Sequence, residues 1–375
     1  MASRLLFLTL ATACDAQLVL QGAGASSSKQ LYQGATSAYL VEGGNPVLVE
    51  FAPMGSGQGT CRIKGWATEC AEGDDAKPQL MDFAASDSIL SAADYLAYPD
   101  LQMYPTAASA VVPIYNLPGV TPEDPPLLLS LAALSDIFRS NLTRWDDDRI
   151  QGVNPVLAAA GKLPAQDIVV VVEDDASGMA EVFKRALASV DPAGFGAQIG
   201  TSSAADWPGA TVLPCAGVPL GLASCVLSTP FSIGYAALAE VLADALPNAQ
   251  LLMPGAAAPV RATVESVSAA LSEFATAFGN NGDDPARLTL DLHGTRGLSS
   301  WPISGATYLV LRKETSLFPG VEEECERREE VPPTRFIPRW PFFYCMGGPP
   351  LLIRTGSPLL YHPLPPPDVS PAAPP

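Results

Sequence analysis

Four short segments of the chain place small residues, hydroxyls and a carboxylate where strand-like sequence gives way to helical sequence. Helix starts expose unpaired backbone N–H groups and the positive end of the helix dipole, which suits a bound anion. The first segment is Gly22-Ala-Gly-Ala-Ser-Ser-Ser-Lys-Gln-Leu-Tyr32, carrying Ser26 and Ser27. The second is the glycine-rich loop Gly55-Ser-Gly-Gln-Gly59, carrying Ser56. The third, Ala84-Ala-Ser-Asp87, closes a short strand with a hydroxyl and a carboxylate. A carboxylate beside an anion site is repulsive, yet it accepts a hydrogen bond from a protonated ligand and so selects a protonated oxyanion over a fully ionised one. In the fourth, Asp175-Ala-Ser-Gly178, Ser177 and the free amides of the following helix would point at a ligand.

Other chemistries find less support. The glycine loop lacks the Lys-Ser/Thr of a P-loop and the spacing of a dinucleotide fingerprint. No GxSxG elbow is present, and His293 reads as a loop residue, so no catalytic group, no cofactor and no enzymatic activity are expected. With no CxxC and only His293 and His362 as histidines, no metal site is expected either. Asp146 to Asp148 and Asn280 to Asp284 lack EF-hand spacing and read as solvated turns, while Asp174 and Asp175 read as helix-start caps. Asn141-Leu-Thr143 is a glycosylation sequon. Cys61 with Cys70, Cys215 with Cys225, and Cys325 with Cys345 are neighbours that would each close a small disulfide loop in an exported chain, the alternative being buried thiols. Arg62, just past the glycine loop, is either a cation reaching the anion site or a solvated surface residue.

The elements that must position these residues alternate in type. Leu18 to Leu20, Val47 to Phe51, Val111 to Leu117, Ile168 to Val172 and Thr307 to Leu311 read as buried strands between helical patterns, an α/β architecture. Helices are predicted over Ser177 to Val190, over Leu127 to Arg139, and from an N-cap at Thr263 along a stripe reaching Phe278. The 375 residues carry 21 Lys plus Arg against 39 Asp plus Glu, a net charge of −18 that argues against nucleic acid as a partner. Met1 to Ala16 has the layout of a secretory signal peptide, with Arg4 before the apolar run Leu5 to Leu10. From Val331 to Pro375 there are 14 prolines in 45 residues, and residues 316–375 are expected to form a disordered tail.

Further motifs follow in order: Val111-Val-Pro-Ile-Tyr-Asn-Leu-Pro-Gly119, Leu134-Ser-Asp-Ile-Phe138 with Leu142-Thr-Arg-Trp145, Ser232-Ile-Gly-Tyr235, and Trp301-Pro-Ile with Thr307-Tyr308. Together with the four anion segments they resemble, over about residues 18 to 313, the PstS-like phosphate-binding component of phosphate ABC transporters. The resemblance implies a two-lobed periplasmic-binding-protein type II fold with two crossover strands and a ligand cleft between the lobes. One lobe would be residues 17–110 plus 260–315, the other residues 111–259. It implies inorganic phosphate as the ligand, held by Ser26, Ser27, Ser56, Asp87, Ser177 and Gly178, in a monomer that is secreted, periplasmic or at the cell surface and serves a membrane transporter. Three positions depart from the family's pattern: Glu173 stands where it has the arginine that pairs with the anion, Met179 replaces a threonine, and Ser27 and Ser28 replace an aromatic residue and proline. The alternative expectation is a domain of the same fold that has lost phosphate binding and serves another small ligand or a surface interaction.

Overall fold

A computed structural model describes residues 18–43, 47–64, 81–209, 212–215, 221–256, 258–274, 287–290, 292–294 and 297–313. The expected signal peptide, the tail, Cys70, Cys325 and Cys345, Phe278 and the Asn280 to Asp284 turn lie outside the described residues. Ten strands are described: β1 Leu18–Gly24, β2 Val47–Pro53, β3 Phe83–Ser86, β4 Leu101–Asn116, β5 Leu128–Ser130, β6 Val169–Glu173, β7 Val212–Cys215, β8 Ser232–Ala237, β9 Gln250–Leu252 and β10 Ser304–Arg312. Between them run helices α1 Lys29–Gly43, α2 Ser56–Ile63, α3 Ala92–Ala97, α4 Leu131–Phe138, α5 Asp148–Gln151, α6 Pro155–Ala159, α7 Gly178–Val190, α8 Gly221–Ser228, α9 Leu238–Ala243 and α10 Val264–Glu273.

Eight strands form one sheet in the order β2, β1, β3, β10, β4, β8, β6, β7, and β5 pairs with β9 apart from it. The 16-residue β4 joins the halves of the sheet. It pairs antiparallel with β10 as far as Ala110 and antiparallel with β8 from Val111 onward. β1 is parallel to β2 and β3 on one side, and β6 is parallel to β7 and β8 on the other. Parallel pairs need crossover connections, and helices supply them, which is why their strands are buried apolar runs such as Val-Val-Val-Val in β6.

The buried residues divide in the same way. A large core built on β4, β6, β8, α4 and α7 contains Trp145, Phe138, Phe183 and Tyr235, and Val260, Val267, Trp301 and Ile303 pack into it as well. Two small clusters flank β1, β3 and β10, one around Leu101, Met103, Tyr308 and Val310, the other around Phe51 and Phe83. Trp301 Nε1 donates to the Val111 carbonyl at 2.9 Å and pins the approach to β10 against β4.

Several elements differ from the sequence reading. The predicted helix over Leu127 to Arg139 begins only at Leu131, because Leu128–Ser130 is drawn into parallel pairing with β9. Gly55 to Gly59 is a helix start and not a loop: Gly55 caps α2, and the Gly59 amide bonds the Gly55 carbonyl at 3.1 Å. A Cβ at Gly59 would lie 2.5 Å from Gly24 Cα, so the absence of a side chain lets α2 rest on the end of β1. α10 ends at Glu273, with its predicted N-cap Thr263 in place. The cap of α7 is Ser177, while Asp174 and Asp175 are exposed. Cys215 and Cys225 form a disulfide with Cα atoms 6.1 Å apart, and Cys61 is disulfide-bonded as well.

Candidate ligand site between two helix starts

The starts of α2 and α7 come from opposite halves of the sheet and meet. A Cβ on Gly178 would lie 2.3 Å from Ser56 Oγ and 3.0 Å from Asp87 Cβ, and one on Gly57 would lie 3.3 Å from the Ala176 carbonyl oxygen. Any side chain at Gly178 would separate the two helix starts. The fold brings Ser56, Asp87, Ser177 and Gly178 into one place although 31 to 122 positions separate them from Ser56.

Asp87 is the hub of this place. It follows β3, is 7% exposed, and its amide donates to Ser56 Oγ at 3.0 Å. Both carboxylate oxygens are engaged: Thr307 Oγ1 donates to Oδ1 at 2.6 Å, and the Ser27 hydroxyl donates to Oδ2. Burial pushes its carboxyl up from the usual range, opposed by those two hydrogen bonds, with the nearby Glu181 charge adding to the rise. Ser27 sits in a single 3-10 turn, Ser26–Ser28, that leads into α1. Ser26 is exposed at the start of that turn, and no side-chain hydrogen bond ties it to Asp87 or Ser56 among the described residues.

On the other side, Ser177 Oγ accepts from the Ala180 amide at 3.3 Å, and the Ser177 amide donates to the Ser203 carbonyl at 3.0 Å. The N–H groups of Gly178 and Met179 have no intrahelical partner, as at every helix start. Glu173 ends β6 beside them. Its carboxyl, pushed up to about 7 by burial, takes hydrogen bonds from Ser177 and from the Tyr235 hydroxyl at 3.4 Å, and the charges of Asp175 and Asp87 raise it further. Tyr235 is fully buried among Phe138, Phe183 and Trp207.

Arg62 stands on the last turn of α2, six residues and so about 9 Å of helical rise from Ser56. The cation sharing a cavity with Asp87 is Arg185 of α7, ion-paired with Glu181 at 2.9 Å. That cavity is also lined by His293 and Tyr308 and has room for roughly one water molecule. Sequence reasoning missed Thr307 and Tyr235 as partners of the two carboxyls, although both lie within motifs singled out above. It missed Arg185 entirely, because a charge on an amphipathic helix gives no sign of which cavity it enters.

Two α/β halves on a shared sheet, with a helix start from each meeting beside Asp87, have the architecture of a two-lobed binding protein. The family model described as "PBP superfamily domain" matches residues 11–315. The phosphate-binding protein PstS of Xylella fastidiosa strain 9a5c is 30% identical over 300 residues, covering 79% of this chain and 72% of its own. That of Haemophilus influenzae is 29% identical over 307 residues, covering 82% of each. Among solved structures, a phosphate-binding protein from Stenotrophomonas maltophilia superposes with a TM-score of 0.59 at 20% identity, covering 83% of this chain and 82% of that one. A high-affinity periplasmic phosphate-binding protein bound with phosphate gives 0.59 at 21% identity, covering 82% and 84%. The chain belongs to the PBP superfamily and, within it, to the PstS-like proteins, with their two-lobed fold.

Proposed function

We propose that the protein binds inorganic phosphate in the interlobe cleft as an extracytoplasmic solute-binding protein for phosphate uptake, and that it is not an enzyme. The observation that carries this reading is the meeting of the α2 and α7 starts around Asp87, in a chain whose PstS relatives are named as phosphate-binding proteins. Ser26, Ser27, Ser56, Asp87, Ser177 and Gly178 form the ligand set: amides and hydroxyls hold the oxyanion, and Asp87 accepts the proton of a protonated phosphate. Residues 17–110 plus 260–315 make one lobe and 111–259 the other, closing as a hinge on the ligand. The protein acts as a monomer outside the cytoplasm, entering by a signal peptide within Met1 to Ala16 and delivering phosphate to a membrane transporter. The Cys215–Cys225 bond suits such an oxidising compartment. No described helix is long and apolar enough to cross a membrane.

The alternative of a domain that has lost phosphate binding is not favoured, since Ser27, Ser56, Asp87 and Gly178 stay assembled despite the change at Glu173. Thermal denaturation with phosphate, sulfate or arsenate decides. Phosphate at 100 times its dissociation constant stabilises by about 2.7 kcal/mol, and sulfate, which has no proton to offer Asp87 near neutral pH, does so far less. Absence of stabilisation by every oxyanion overturns the proposal.

A further inference from the structure

One face of α7 lies along the opposite half of the molecule. Gly178 meets Ser56 and Asp87 at its start, and a Cβ on Gly305 of β10 would lie 2.7 Å from Val182 Cγ2. Farther on, a Cβ on Gly294 would lie 4.0 Å from Ser189 Cβ. Gly178, Val182, Arg185 and Ser189 recur at the spacing of a single helix face, so Arg185 belongs to this seam. Arg185 and Glu181 line the small cavity there, together with Asp87, His293 and Tyr308.

Glu181 is the difficulty that the seam poses for an anion site. It stands in the first turn of α7, three residues and so about 4.5 Å of helical rise from Gly178. A carboxylate at that position complements the helix dipole, but it repels any anion held by the same helix start. It is 8% exposed, and its charge is felt at Asp87. Arg185, one turn further along, pairs with it at 2.9 Å and is the one Lys or Arg among the described residues lining the cavity.

We propose, resting on the phosphate reading of this cleft, that Arg185 is an affinity-determining positioning residue: by holding and neutralising Glu181 it leaves the start of α7 able to attract an anion. The family resemblance puts the compensating cation at the position of Glu173, whereas here it stands two turns into the helix that follows. Seven residues, about 10 Å of rise, separate Arg185 from Gly178, a distance over which partly buried charges are still felt. Arg185 therefore acts through Glu181 and not by contact with the ligand.

The test is calorimetric titration of the full chain with inorganic phosphate at pH 7, using the wild type, Arg185→Gln, Arg185→Lys, Glu181→Gln and the double variant Arg185→Gln/Glu181→Gln. Arg185→Gln leaves Glu181 uncompensated and weakens binding about fivefold, whereas Glu181→Gln leaves a spare positive charge and strengthens it by a similar factor. Arg185→Lys keeps the charge and recovers most of the loss, and the double variant returns to the wild-type affinity or better. An ion pair with a purely structural role gives a different pattern, since either single substitution breaks it and both would then weaken binding. Unless the Gln substitutions at Arg185 and Glu181 shift affinity in opposite directions, the inference falls while phosphate binding stands. Where Arg185→Gln unfolds, Glu181→Gln and the double variant decide, because both must bind at least as tightly as the wild type. Absence of binding by the wild type overturns the phosphate reading and this inference with it.

Discussion

Asp87 and Glu173 are the two carboxyls that flank the start of α7, and burial acts on both in the same direction. For Glu173 the consequence for stability has a definite sign. Its folded-state carboxyl lies at about 7, against an ordinary value of 4.5. A raised acid stabilises the fold fully below the unfolded value, and the contribution is lost as pH rises through the folded one. The window is therefore about pH 4.5 to somewhat above 7, and the loss across it is about 3 kcal/mol. Glu173→Gln removes this term, so urea unfolding of the variant is flatter with pH and the variant is the more stable protein at pH 8. An unchanged profile would mean that the carboxyl is solvated in the folded protein. The Ser27 and Thr307 hydroxyls temper the same effect at Asp87, since both donate to its ionised form.

At the scale of elements, the site depends on how closely α2 and α7 approach. Gly178→Ala puts a methyl group within 2.3 Å of Ser56 Oγ, which the helix starts relieve only by moving apart. Phosphate affinity in calorimetry falls at least tenfold, while the melting temperature changes little because the methyl lies between two surfaces and not in a core. Retained affinity would show that the ligand sits away from this contact. Much of this was legible beforehand. Ser177 announces itself as a cap because it precedes the stripe Val182, Phe183, Ala186, Leu187, and Thr263 does the same for α10. The misreadings share one cause, contacts between residues far apart in the chain. Leu128–Ser130 extends to pair with β9 some 120 residues later, and α2 tolerates Gly57 and Gly59 because Gly59 fits against Gly24. The pairing of Thr307 with Asp87 spans 220 positions and leaves no local pattern.

For the whole molecule, the unequal cores of the described residues predict an order of unfolding. Among the described residues, the half containing β1, β2, β3 and β10 has two small clusters, and the buried cation Arg312 ties its elements together. Arg312 is 6% exposed, pairs with Asp100 at 2.6 Å and donates to the Ile63 carbonyl at 3.0 Å, so it ties β10 to the start of β4 and to the end of α2. Arg312→Met leaves Asp100 without its partner, a loss of about 3 to 5 kcal/mol. Unfolding in urea then separates into two phases, the smaller half opening first while the fluorescence of Trp145 and Trp207 in the larger core persists. A single cooperative transition would show that the halves do not unfold independently.

The change of partner along β4 carries a mechanical consequence. Because β4 runs unbroken from one half of the sheet into the other, the hinge closure proposed above would turn on the backbone near Ala110 and Val111. At that spot Val111 donates its amide to the Ile303 carbonyl and accepts from the Trp301 indole, so the axle sits in a bearing made by the chain as it returns toward β10. The distance between Ser56 and Gly178, which face each other across the two helix starts, would report such a swing.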